Sequence, residues 1–174
     1  VAVANYFTSV AANNGTAWTT TVQNQSIAEV TATTSDPASV TAQKAATDNA
    51  LAITTTVAGA AGLAPGVLYS ISDTVANEVA AGASTILNKA VNITSTGAAA
   101  TVAQAATIAA ATNTGTKAIG SLSDTAANIA GATAATMNAV AGTATATTSA
   151  TGAQASSIAA FTKAVVYSVS DTSA

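Results

Sequence analysis

Residues 69–82 read YSISDTVANEVAAG, and whether this stretch is helix or strand decides the fold. Its first six letters return as YSVSDT at 167–172 and, more loosely, as GSLSDT at 120–125. From Ile71 the apolar and small positions continue through Val75, Val79, Gly82, Ile86, Ala90 and Ile93, in steps of four or three. That is the stripe of one helix face. After GSLSDT the same spacing runs through Leu122, Ala126, Ile129, Thr133, Met137 and Val140. The competing reading is strand, because Thr and Val favour sheets and are stiff at χ1. A period of three and four rather than two favours the helix.

Placing Asp73 on Asp124, an offset of 51, sets SDTVANEVAAGA against SDTAANIAGATA, and Asp171 follows Asp124 by 47. The chain therefore carries an internal repeat of about 50 residues. Upstream, Ser26-Ile27-Ala28-Glu29 has capping-box spacing, and Asp36-Pro37 suits a helix start, predicting a helix from about 37 to 61 closed by Gly62 and Pro65. Weaker helical stretches fall at 98–119 and 153–169, with Gly97, Gly115, Gly142 and Gly152 as breaks. The expected fold class is all-α: extended or bundled Ala/Thr-rich helices in one structural unit over 1–174. Helical repeats occupy 26–174. Residues 1–25, where Val1, Val3, Tyr6, Phe7, Val10 and Trp18 mix both periods, are a candidate extended arm.

The chain of 174 residues is 49% hydrophobic but only 3% aromatic, so its apolar share is mostly alanine. A buried large side chain contributes about 1.5 to 3 kcal/mol and alanine much less, which leaves a solitary subunit a thin margin against chain entropy. Charged residues are 6% where roughly 25% is usual. The net charge of −3, from seven carboxylates and four lysines, provides no basic cluster for nucleic acid or anionic lipid. Polar residues interrupt every apolar run before membrane-spanning length. The start VAVANYF has no basic leader region and reads as a mature or trimmed end. Asn14, Asn24 and Asn92 open Asn-x-Ser/Thr sequons, which matter only in a glycosylating compartment.

Histidine, cysteine and arginine are absent, which removes the usual general base, the thiolate nucleophile and the bidentate anion clamp. The carboxylates Glu29, Asp36, Asp48, Asp73, Glu78, Asp124 and Asp171 are scattered singly, and the glycines form no phosphate-binding loop. The expectation is no enzyme, no catalytic, cofactor or metal residues, and no small-molecule substrate. Ser or Asp of each SDT reads as the cap of the helix that follows, while Lys117 and Lys163 stand near the ends of preceding helices. The copy at 167–172 has only Ser173 and Ala174 after it and so starts no helix. It reads as a contact with another subunit. Candidate assembly contacts are Tyr69, Ser72, Asp73, Asp124, Tyr167, Ser170, Asp171 and Trp18.

Two further patterns bear on function. Thr74, Thr85, Thr96 and Thr107 are spaced by eleven, as are Thr114, Thr125, Thr136 and Thr147. Eleven residues are three turns at about 3.67 per turn, which lines threonines along one helix face. That spacing resembles the type I antifreeze helices and implies ice binding as an alternative function. The other pattern is the segment Gly66-Val67-Leu68-Tyr69-Ser70-Ile71-Ser72-Asp73-Thr74 and its partner from Val165 to Thr172, which resembles the Leu-Tyr-Ser-x-Asp-Thr ending of the Reb-type R-body proteins. Ala153-Gln154-Ala155 and Asn138-Ala139-Val140 echo that family's helix. The resemblance implies a subunit of a coiled bacterial ribbon, in a cytoplasmic inclusion, that responds to pH. Outside that family, a cell-surface or extracellular location is expected. Protonating all seven carboxylates would move the side-chain charge from −3 to +4. The expected function is a non-enzymatic structural subunit that self-assembles into a filament, ribbon or sheet through close-packed small-residue helices, its partner being itself or close paralogues.

Overall fold

The computed structural model describes residues 48–82 and 85–171. In it YSISDT is a strand. Tyr69, Ile71 and Asp73 are buried, while Ser70, Ser72 and Thr74 alternate on the outer side. That is the period of two that a pleated strand imposes. The described elements are β1 (Ile53–Thr55), α1 (Val57–Ala61), β2 (Tyr69–Thr74), α2 (Val75–Ala81), α3 (Thr85–Lys89), β3 (Ile93–Thr96), α4 (Val102–Ala109), β4 (Lys117–Ile119), β5 (Leu122–Asp124), α5 (Ala126–Ala130), α6 (Ala134–Asn138), β6 (Ala144–Ala146), α7 (Gly152–Ala159) and β7 (Val165–Val166).

The all-α expectation is therefore overturned: this is an α/β fold with two parallel sheets, ordered β1-β2-β3-β4 and β5-β6-β7. Strand order follows chain order, and register partners lie about one coil apart: Ile71 with Ile93, Ile93 with Lys117, Leu122 with Ala144, Ala144 with Val165. Within each sheet a strand pairs with the next, after a return of 16 residues from β1 to β2 and of 21 to 24 residues thereafter, as the register partners give by subtraction. The bridges Ala100 to Leu122 and Ile119 to Val140 link the two ladders into one stack. A chain whose repeats touch chiefly their neighbours in sequence is a solenoid. The repeat of about 50 residues is two coils, and SDT marks every second one.

The helical stripe failed for a local reason. Its steps of four straddle a strand and a helix, Ile71 lying in β2 and Val75 opening α2. Threonine divides the two. Thr56, Thr74, Thr101, Thr125, Thr133 and Thr151 are N-caps in extended backbone, each accepting the amide three residues on. A Thr hydroxyl at that position satisfies an orphan N–H and starts a new, separate helix. The helices are five to eight residues long. Helices that short hold only by packing.

Of the helix expected over 37–61, the described part is broken by β1, though Gly62 does cap α1. The 98–119 stretch is α4 followed by β4, and 153–169 is α7 followed by β7. The features at 26–29 and 36–37 and the arm with Trp18 lie outside the described residues. True capping boxes occur at Thr101 with Gln104 and Thr151 with Gln154.

The scarce large apolar residues are concentrated inside. Leu51, Ile71, Leu87, Ile93, Ile108, Ile119, Leu122, Ile129 and Met137 are all essentially inaccessible, and Ala90, Ala100, Ala105, Ala126 and Ala144 fill the gaps between them. A thin coil needs only one or two large side chains, and alanine lets helices and sheet approach closely. Truncating one of them should therefore cost as much as in a richer core. For Ile129→Ala we expect a loss of about 3 kcal/mol by urea denaturation, with the slope of the transition unchanged.

Candidate functional site

Each SDT aspartate belongs to one coil and holds the helix of the coil before it. Asp73 Oδ2 accepts the Val57 N–H at 2.9 Å, and its Oδ1 accepts the Thr74 N–H at 2.7 Å and Asn77 Nδ2 at 2.8 Å. Asp124 repeats this: Oδ2 accepts Val102 N–H at 2.9 Å, and Oδ1 accepts Thr125 N–H at 2.8 Å and Asn128 Nδ2 at 2.7 Å. Asp171 Oδ2 accepts Gly152 N–H at 2.8 Å. Val57, Val102 and Gly152 are the first residues of α1, α4 and α7. A carboxylate there meets an amide with no partner in its own helix and the positive end of the helix dipole. In the intervening coil Thr148 Oγ1 takes the same place, accepting Ala126 N–H at 3.0 Å.

We call this arrangement a clasp, and it corrects the sequence reading of SDT. The cap of the following helix is Thr74 or Thr125, and the aspartate caps the preceding one. Residues 167–171 of the third copy make hydrogen bonds and packing contacts within the chain. Ser170 N–H donates to Ala150 O at 2.9 Å, and Tyr167 packs half-buried against the core. Tyr69 is buried, its hydroxyl donating to Ile86 O at 2.8 Å, and burial raises its pKa. Ser72 stands half-buried on the outer side of β2. The aspartates are not brought together; they occupy one coil in two along the stack. Trp18 lies outside the described residues.

Burial alone would raise the pKa of Asp73, but hydrogen bonds from Asn77, Val57 and Thr74 outweigh it and hold the carboxyl below its ordinary 3.8. Burial and the bonds from Asn128, Val102 and Thr125 act likewise on Asp124. A depressed folded pKa means that the Asp73 and Asp124 clasps contribute in full above about pH 3.8 and weaken as pH falls through the folded values. The asparagines were missed in sequence, although the signal was present: SDT-x-x-N recurs as SDTVAN and SDTAAN.

Other side chains close the opposite corner. Asn92 Oδ1 accepts from Thr116 N–H at 2.9 Å, Thr112 N–H donates to Asn88 Oδ1 at 2.9 Å, and Lys163 Nζ donates to Ala141 O at 2.9 Å. Lys163 thus reaches the previous coil rather than its own helix end, and Lys117 lies on β4.

The threonine rows are also redistributed. Thr74 and Thr96 are register partners on neighbouring strands, whereas Thr85 and Thr107 lie in α3 and α4. No single helix carries them. Thr74 Oγ1 caps α2, and Thr96 Oγ1 donates to Asp73 O at 3.0 Å. Nor do the described helices present free packing faces for a helical filament, because their apolar sides are buried in the chain's own core.

Among the described residues no three His, Cys, Asp or Glu side chains cluster to hold a metal, and no helix is long and apolar enough to cross a membrane. An open cleft of about 440 Å³ is lined by Val57, Ala58, Asp73, Asn77, Ala80, Ala81 and Ile86, and its one carboxylate is the Asp73 clasp. No protein-family model, curated protein or solved structure matches the chain. The fold and its clasps define the class directly: a parallel α/β solenoid with carboxylate-capped coils.

Proposed function

We propose that the chain is a non-enzymatic structural subunit, a solenoid segment that associates with copies of itself. The observation that carries this reading is the clasp: the SDT carboxylates, which would be the reactive groups of a site, are committed to holding helix ends. The surface left over is Ser, Thr and Ala with few charges, which favours association over colloidal repulsion. Val166 in β7 and Val169 just after it support contact at this edge, being 60% and 56% exposed where β7 has one strand neighbour among the described residues. The letters that carry the R-body resemblance are those of the clasp, so the reading rests on the clasp and not on that family.

Sedimentation and light scattering across a concentration series test it. Mass should rise with concentration, and Val166→Lys with Val169→Lys should abolish the rise while leaving the melting temperature unchanged. A monomer at every concentration up to about millimolar overturns the proposal. Ice binding by the outward hydroxyls is the runner-up, favoured only by the Thr74 and Thr96 pair. Both hydroxyls are already hydrogen-bonded within the chain, and thermal hysteresis would be the sign that the runner-up is right.

A further inference from the structure

Glu78 has no place in the clasps, yet it is fully buried on α2. Its Oε2 accepts the hydroxyl of Ser95, which lies on β3 in the next coil, and its Oε1 is buried with no hydrogen-bond partner. The internal repeat supplies a comparison. At the 51-residue offset, Glu78 and Ser95 correspond to Ile129, fully buried, and Ala146. Register agrees, since Ser95 pairs with Asp73 as Ala146 pairs with Asp124. The same junction is built once with an apolar pair and once with an acid and a hydroxyl. Packing therefore does not require the acid.

Charge surrounds this group sparsely. Of the elements packed on α2, β2 brings Asp73 and α3 brings Lys89, which is exposed. The others, α1, β3 and α4, bring no ionisable side chain. An ionised carboxylate there has the Ser95 hydroxyl and the Asp73 backbone N–H as donors, one oxygen left without a partner and no opposing charge, whereas a neutral acid is tolerated.

We propose that the α2–β3 junction is a proton-controlled latch: with Glu78 neutral the two coils lock together, and losing its proton places an uncompensated charge between them. Burial pushes the Glu78 carboxyl up and the Asp73 charge adds to it, while hydrogen bonds from Ser95 and the Asp73 backbone oppose them, giving a pKa of about 7. A folded value above the ordinary 4.5 puts the full contribution below pH 4.5, with loss as pH rises to about 7 and no further change above. Asp73 and Asp124 titrate below this window.

Native-state hydrogen exchange on the whole chain tests the latch. After correction for intrinsic rates, protection of amides in α2 and β3 should fall about tenfold per pH unit between pH 5 and 7, the slope of one released proton. Glu78→Gln should be flat over that range, and so should Glu78→Ile with Ser95→Ala, which copies the chain's own apolar junction and guards against a misfolded single variant. Infrared spectra at pH 6 should show a protonated-carboxyl band that Glu78→Gln removes. Wild-type protection independent of pH, or variants with the wild-type slope, overturns the latch.

Discussion

Asp124→Ala should lower stability by about 3 kcal/mol, because it strips one carboxylate from three donors at once: Val102 N–H, Thr125 N–H and Asn128 Nδ2. A hydrogen bond to a charged group contributes about 1.5 to 3 kcal/mol and a helix cap about 1, with some overlap in one cluster. Against a total of roughly 5 to 15 kcal/mol that is a large share. The loss should also be local: amides of α4 and β5 should exchange faster while those of α1 and β2 keep their protection, as nearest-neighbour coupling in a solenoid requires. Asp124→Asn retains an acceptor and loses the charge, so about half the effect should remain. Chemical denaturation of the three proteins checks the order.

Gly142→Ala should be comparably damaging for a different reason. A Cβ on Gly142 would stand 1.8 Å from Gly120 O, backbone of the neighbouring coil, at the corner where the stack passes from β4 to β5. Neither coil can turn a side chain aside to relieve it. The cost of forcing the backbones apart is about 3 kcal/mol, at the upper end for overpacking. Gly131→Ala is the control, since its Cβ would meet Ala127 O at an ordinary 3.6 Å and its backbone is right-handed helical. Thermal melts should show Gly142→Ala well below wild type and Gly131→Ala level with it or slightly above.

Stability should also pass through a maximum with pH. The Asp73 and Asp124 clasps weaken as pH falls below about 3.8, and the Glu78 contribution declines above 4.5. Between these limits both are present, so the most stable form is expected near pH 4 to 5. This is a more particular response than the uniform repulsion suggested by titrating every carboxylate.

The repeat, the importance of the SDT letters and the stop at Gly62 were legible in the sequence, whereas the strands were not. YSISDT alternates inward and outward residues over only six positions, and the inward set ends on Asp73 rather than an apolar residue. Hydrophobic periodicity is blind to such a strand, because the buried aspartate is satisfied by an amide 16 residues earlier. The helical stripe gained false length where strand and helix ran on without a loop, at Thr74 and Val75. Threonine misled twice, scoring as a weak helix residue inside a long helix when it was the cap of a short one, and forming an eleven-residue row that is half a coil. Glu78 gave no signal in sequence beyond occupying the place of Ile129, and that comparison means something only when the coils are superposed.

Aspartates that reach back one coil are read directly by scalar coupling across hydrogen bonds. In a chain labelled with ¹⁵N and ¹³C, the Val102 amide nitrogen should couple to the Asp124 carboxylate carbon, and Val57 and Gly152 to those of Asp73 and Asp171. Those three couplings at neutral pH are the predicted result. Amides of Val57, Val102 and Gly152 that couple instead to carbonyls four residues back in a continuous helix would contradict the clasp and the solenoid together.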